Sequence, residues 1–451
     1  MIFKNLTRRR EIGANCYLLE KDKTKLIIDS GMHPKLVGYD ATPEFSLVPT
    51  EKATAIFLSH AHHDHLGALP IAQRRQPQAP VYMTEATGEV ASAMLHNSVN
   101  VMISQRDEEN IQDYPLFTHK EVDQQSESWY YCDIKKTFTI PNTDIQATFY
   151  DAGHILGSAG ILFRDGEHKL FYTGDANFEN QTICRAAQFP KEHVDVLIME
   201  TTRGAYQRPE GYSRKKVKES LAAQIKETFD RNGSVLIPVF ALGKTQEVLV
   251  MLHELHEEGL IPEIPVHLGG LSTKISLIYD ELSDKVERHY KGFRILEDID
   301  MLVPPRRRKT EIIAQPRCIY ALSSGMMSEG TISNNFAQKF VQNPDNSVIF
   351  VGYTDVESPG HLLKMAKPGE QIKLSKKHPA VTVNARVENY DLSAHATRED
   401  LLAYAISVTP KKVILVHGDE PAQIWFEEQI KAALPETEVL RPEPGKEVVL
   451  W

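Results

Sequence analysis

No stretch of about 18 consecutive apolar residues, the length a membrane-spanning helix needs, occurs in this 451-residue chain. The opening segment MIFKNLTRRREIGANCYLLE has no long apolar core, so a secretory signal is not expected. Cysteine is scarce. Cys16, Cys132, Cys184 and Cys318 are scattered without a paired motif, which argues against a disulfide framework and for free thiols in a reducing, cytoplasmic setting. Internal repeats and low-complexity tails are missing. So is an excess of positive charge: 51 basic against 61 acidic residues give a formal net charge of -10. A uniformly basic surface that wraps nucleic acid is thereby excluded, although a local basic groove is not. The strongest basic run is Arg306 to Lys309, after Pro304 and Pro305.

What is present suits a globular enzyme of more than one core. Hydrophobic content is 41% and charged content 25%, and the length exceeds that of a usual single domain. Over the first 200 residues, short apolar runs such as TKLIID, TAIFLSH, APVYMTE, HKLFYTGD and VDVLIMETT each end in an acid, a histidine or another polar residue. Such runs predict strands whose polar ends gather at one rim of a sheet or sandwich. From about residue 204 the pattern changes to strand and helix in alternation. A helix is expected over Ser213–Arg231, a strand over Ser234–Phe240, a helix opening after Gly243, and another over Ser276–Tyr290; this is the signature of a parallel α/β unit. Near residue 371 the ligand-rich pattern resumes and runs to the end. The expected division is therefore 1–203, 204–370 and 371–451.

The densest chemistry lies in SHAHHDHLGALP, Ser59 to Pro70. In an extended stretch His60 and His62 share a face, and a turn then brings Asp64 and His65 toward the same point. Imidazole and carboxylate suit zinc. His154 in DAGHILGSAG, Asp175 in FYTGDAN and His417 in LVHGDE each follow an apolar run or sit in a glycine-bounded turn. Taken singly, each reads as an ordinary turn residue. Together with the cluster they are enough ligands for two metal ions. A water held by two such ions loses a proton near neutral pH and becomes a nucleophile. Asp29 and Glu200, at strand ends, are placed to orient a ligand imidazole or the water.

These residues resemble the metallo-β-lactamase superfamily, with HAHHDH similar to its HxHxDH signature. The internal insert and the distal histidines resemble the β-CASP branch, which includes the RNase J enzymes and the cleavage-factor nucleases of pre-mRNA 3′-end processing. The resemblance runs almost end to end, from Asn15–Glu20 to the final strand. It implies an αββα metallo-β-lactamase sandwich with an inserted parallel α/β β-CASP domain. It further implies that His60, His62 and His154 hold one zinc, that Asp64, His65 and His417 hold the other, and that Asp175 bridges them. Asp64 and Glu200 then belong to the catalytic set, with Glu200 in METTRG supporting a histidine and Asp29 closing the first strand. His395 in LSAHAT matches the second β-CASP motif and would act as general acid or contact phosphate. PVFALGKTQEVL, which contains Lys244, resembles a segment of the family's insert. The turns SSGMMSEG, with Ser324 and Gly325, and VGYTDVESPG resemble its Gly-rich turns, whose backbone N–H groups would meet phosphates. The chain departs from the family pattern at Thr397, where an acid is usual, and at Arg203, where a tyrosine is common.

The expected activity is zinc-dependent hydrolysis of RNA, single-stranded because an unpaired strand enters a narrow cleft more easily than a duplex. Two Zn²⁺ per chain are the expected cofactors, and Arg203, Lys244, Arg306–Lys309 and Lys364 are candidate phosphate contacts. No membrane partner is expected, and a homodimer is compatible with these features. Two other readings stay open. One is a metal-dependent hydrolase of DNA, a small phosphodiester, a lactone or a thioester. The other is a catalytically silent nucleic-acid-binding subunit, which would ordinarily have lost ligands that are all present here.

Overall fold

The computed structural model describes residues 1–286, 288, 292–299, 301–302 and 312–451. The basic run Arg306–Lys309 lies outside them. The chain forms two compact units, one of residues 1–180, 186–208 and 395–451, the other of residues 181–185 and 209–394.

The first unit is built on two seven-stranded sheets. One has the order Glu447–Val449, Ile2–Asn5, Tyr17–Lys21, Thr24–Ile28, Ala55–Phe57, Val81–Met83 and Trp129–Tyr131. The other has Glu438–Leu440, Lys412–Val416, Val196–Glu200, His168–Tyr172, Ala159–Asp165, Ile145–Asp151 and Thr137–Thr139. Alternation along the strands sorts their side chains. Leu26, Ile28 and Phe57 of the first sheet share one buried cluster with Phe149, Phe163, Leu170 and Tyr172 of the second. The sheets therefore pack face to face, with Phe57 edge-on to Phe163 at 5.0 Å between ring centroids. The intervening residues Phe171, Leu197 and Met199 point the other way. They cluster with Leu401, Tyr404 and Val408 of the helix Arg398–Val408 and with Phe426 and Ile430 of the helix Glu420–Ala433. This is the expected sandwich with helices outside it.

One helix was not legible as such. The run APVYMTEAT reads as a strand, but the strand stops at Met83. Thr84 then caps a helix over Glu85–Glu109, its hydroxyl accepting from the backbone N–H of Thr87. Buried Ala86, Val90, Ala91, Leu95, Val99 and Met102 follow the helical period, obscured in the sequence by the polar residues between them.

The second unit carries a six-stranded sheet in the order Met301–Leu302, Val266–Leu268, Ile319–Leu322, Val235–Pro238, Ser347–Phe350 and Arg386–Asn389. Every pairing in it is parallel. Its helices include Arg214–Asp230 and Lys244–Glu257, close to the expected spans. The helix expected over Ser276–Tyr290 instead begins at Gly270 and ends at Glu281. The unit also reaches past residue 370, because Arg386–Asn389 pairs with Ser347–Phe350, Val387 opposite Val348. It draws in residues 181–185 as well: the Glu247 carboxylate accepts from the backbone N–H groups of Thr182, Ile183 and Cys184. All four cysteines are free thiols, Cys132 half-buried and the others buried. Among the described residues no helix is long and apolar enough to cross a membrane.

Candidate metal centre

The polar ends of the strands in the first unit converge as their order requires. The strand ends at Phe57, and His60 and His62 follow it; His62, itself extended, sits at the N-cap of the short helix His63–Leu66. Asp175 follows the strand His168–Tyr172, and His417 follows Lys412–Val416. His154 lies between Ile145–Asp151 and Ala159–Asp165, in a loop tied by Ser158 Oγ, which accepts from the backbone N–H of His154 and of Ile155.

Two groups of side chains result whose donor atoms lie within 4.8 Å of one another: His60, His62, His154 and Asp175, and Asp64, His65 and His417. Asp175 stands between them. Its Oδ2 is 3.4 Å from His60 Nε2 and 3.7 Å from His154 Nε2, while its Oδ1 is 2.9 Å from His417 Nδ1 and 3.4 Å from His65 Nε2. His417 Nε2 lies 3.2 Å from Asp64 Oδ2. His60 Nε2 is buried without a hydrogen-bond partner among the described residues. Buried polar atoms are rarely left so, and two imidazole- and carboxylate-rich groups that share Asp175 fit divalent ions of the zinc type. A third group, Asp175, Glu200 and His395, is gathered equally closely.

The electrostatics differ between the groups. Burial lowers the pKa of His60 and His154, and lowers that of His62 to about 3, so these rings are neutral at pH 7 with lone pairs available to a cation. Burial also opposes charge on His417, but Asp175 and Asp64 outweigh it and raise its pKa to about 10; His65 is raised likewise by Asp175 and Asp29. Burial opposes charge on Asp175 too, yet His417, His65 and His60 hold its carboxyl well below the usual range.

Asp29 is fully buried and anchors the centre from behind. Its Oδ2 lies 2.7 Å from His65 Nδ1 and accepts from the Tyr172 hydroxyl (2.6 Å) and Ser59 Oγ (2.8 Å); its Oδ1 accepts from the Ser59 backbone N–H. Glu200 is also buried, accepts from the Ala176 backbone N–H at 2.7 Å and faces His395 Nδ1 at 3.2 Å. Asp29 and His417 both have left-handed backbones, with φ of 58° and 49°. Such a conformation costs roughly 1–2 kcal/mol for a residue other than glycine, a strain concentrated where two site side chains must turn inward.

Several contributors were not legible in the sequence. Asn15 Nδ2 donates to the Asp64 carbonyl (3.0 Å) and lies 3.2 Å from His65 Nε2, and Thr202 Oγ1 is 3.1 Å from His417 Nδ1. Only the position of Asn15 before a strand marked it. His63, inside the histidine run, belongs to neither group, because successive helix residues point about 100° apart. Gly31 is also required. A Cβ there would lie 1.7 Å from the Asp64 carbonyl oxygen, a backbone atom that cannot yield without moving the Asp64–His65 turn. Gly31→Ala is expected to lose metal at the Asp64 group and to destabilise the unit by about 3 kcal/mol, read from metal content and a urea midpoint.

The candidate phosphate contacts are placed less simply. Arg203 is 8% exposed and stacks over the Tyr206 ring at 4.7 Å. In the second unit, Ser324 Oγ accepts from the Ser328 N–H, and a Cβ on Gly325 would meet the Phe240 ring at 3.0 Å. Lys364 is half-buried. Lys244 is buried and its ammonium donates to the Leu392 carbonyl. Burial, helped by Arg214, lowers its pKa to about 8. A lysine lowered in the folded state binds fewer protons than the unfolded chain between the folded pKa and the unfolded value. Its full penalty applies below pH 8 and fades as pH rises toward 10.5. Lys244→Met removes that penalty, so its stability relative to the parent protein is expected to be greatest at neutral pH and to decline as pH rises from 8 toward 10.5, measured by urea unfolding at several pH values.

Known families match along the chain: a Beta-lactamase superfamily domain over residues 25–223, a Beta-Casp domain over 245–363, and a Zn-dependent metallo-hydrolase RNA specificity domain over 380–442. The transcription termination factor FttA of Methanothermobacter thermautotrophicus is 30% identical over 433 residues, covering 91% of this chain and 66% of that protein. The chain thus spans about two thirds of the length of the termination factors it matches. Probable RNase MJ4 of Methanocaldococcus jannaschii is 30% identical over 423 residues, covering 91% of each chain. A crystal structure of a protein of unknown function from Enterococcus faecalis V583 has the same fold, with a TM-score of 0.60 over 99% of both chains at 15% identity.

Proposed function

The chain belongs to the metallo-β-lactamase superfamily, in the branch that carries a β-CASP domain, and on that premise we propose that it is a two-zinc phosphodiesterase that hydrolyses single-stranded RNA. The observation that carries the proposal is the pair of ligand groups joined at Asp175 with His395 beside them. His60, His62 and His154 would hold one ion, Asp64, His65 and His417 the other, and Asp175 both. Bound there, two such ions supply positive charge to the phosphate and acidify a water. The residues supply the rest. Asp29 fixes the His65 ring through Nδ1, so that Nε2 is the nitrogen left for a cation. Glu200, itself fixed by the Ala176 N–H, holds His395 by Nδ1. That hydrogen bond orients the ring and assigns Nε2 to deliver a proton to the departing O3′ as water oxygen attacks phosphorus. The ring centroids of His395 and His154 are 4.5 Å apart, which puts the acid next to the first ligand group. The RNA substrate draws support from the matched RNA specificity domain and from the relative that is a probable RNase.

A second reading takes His395 as a ligand, because Asp175, Glu200 and His395 are also close enough to hold an ion. The test of the main proposal is end-labelled single-stranded RNA and matched DNA, with zinc-loaded and chelator-stripped protein. Zinc-dependent RNA fragments with 5′-phosphate and 3′-hydroxyl ends are expected, without 2′,3′-cyclic phosphate, since the nucleophile is water rather than the 2′-hydroxyl. Folded, zinc-loaded protein that leaves RNA intact would overturn it, and preference for DNA would move it to the alternative hydrolase.

A further inference from the structure

The loop between the strands Ile2–Asn5 and Tyr17–Lys21 carries three successive arginines, and they are not equivalent. Arg8 donates to the Thr42 and Tyr39 carbonyls and pairs with Glu44 at 2.9 Å. Arg10 pairs with Glu443 at 3.2 Å. Arg9, between these anchored neighbours, is exposed, and its guanidinium makes no hydrogen bond or ion pair with any of the described residues. The same loop carries Asn15, which touches Asp64 and His65. Arg9 also lines two hollows. One, of about 10 Å³, extends from Arg9 and Glu11 to His417. The other, of about 350 Å³, is bounded by Arg9, Gly13, His33 and Leu36, a size at the low end of small-molecule pockets, roughly 300–1,000 Å³. Glu11, which shares both hollows, lies against His33 Nε2 at 3.2 Å. Asp40, exposed at the edge of the larger hollow, is the remaining acid there.

An exposed guanidinium without a partner among the described residues, on a hollow that the candidate ligand His417 also lines, suits a phosphate, which it can grip with two parallel hydrogen bonds. We propose that Arg9 binds the RNA phosphate next to the one cleaved, and that the larger hollow takes the nucleoside attached to it. This inference rests on the RNA phosphodiesterase reading. A protein that neutralises one phosphate fewer on a single strand binds with a salt dependence lower by about 0.7 in log–log slope. Removal of a merely structural residue would leave that slope alone.

The test measures binding of a fluorescent single-stranded oligoribonucleotide by anisotropy, at several salt concentrations. It uses zinc-loaded His395→Ala protein, so that the RNA survives, with Arg9 intact, Arg9→Gln or Arg9→Lys. Arg9→Gln is expected to weaken binding roughly 5- to 20-fold and to lower the slope by about 0.7, while Arg9→Lys, which keeps the charge, restores most of the slope. Unchanged affinity and slope in Arg9→Gln would overturn the subsite and leave the RNA reading standing. Absence of RNA binding with Arg9 intact would overturn both.

Discussion

Asp175→Asn is expected to lose at least one metal ion per chain and to slow RNA hydrolysis on the order of a thousandfold or more. The amide keeps the volume of the carboxylate, so the sandwich should fold. It cannot offer a full negative charge to both ligand groups, and Asp175 is the residue whose two oxygens face both. Its carboxyl is held ionised against burial by His417, His65 and His60, which marks it as an anion built into the centre. Asparagine also removes the charge that raises His417 and His65, so the metal-free variant should carry fewer protons there. Metal content by mass spectrometry alongside turnover checks this. Two ions with normal turnover would show that the bridge is dispensable.

His395→Ala separates proton delivery from metal binding. As a general acid, His395 should be worth roughly 10²- to 10⁴-fold in RNA turnover while both ions stay bound. A phosphodiester with a good leaving group, such as bis(p-nitrophenyl) phosphate, needs little protonation and should lose less than about tenfold. If His395 is a ligand in the group with Asp175 and Glu200, metal content falls and both substrates suffer together. Full RNA turnover in a two-ion His395→Ala protein would remove His395 from the mechanism.

The sequence was most informative where chemistry is local. His60, His62, Asp64 and His65 lie within one strand end and one helical turn, so spacing alone groups them. The distant His154, Asp175 and His417 were joined to them because each follows an apolar run or sits in a glycine-bounded turn, and because the resemblance to the metallo-β-lactamase pattern implies them as ligands. Pairwise detail was lost for a different reason. Nothing in the letters says that Tyr172 will reach Asp29, that Asn15 will meet His65, or that Lys244 will spend its ammonium on the Leu392 carbonyl, since these depend on sheet register. The same limit hid the reach of the second unit. Residues 386–389 read as part of the returning ligand-rich segment, yet their strand completes the parallel sheet beside Ser347–Phe350. Arg9 was concealed within a run of three arginines, and only the anchoring of its two neighbours sets it apart.

In the proposed mechanism the histidine cluster at Ser59–Pro70 works through two ions acting together. Zinc titrated into chelator-stripped protein, with bound metal and RNA hydrolysis followed in the same samples, tests that most directly. Hydrolysis is expected to stay low through the first equivalent, rise with the second and level off at two ions per chain. Full hydrolysis at one ion, or none at two, would contradict a two-metal phosphodiesterase.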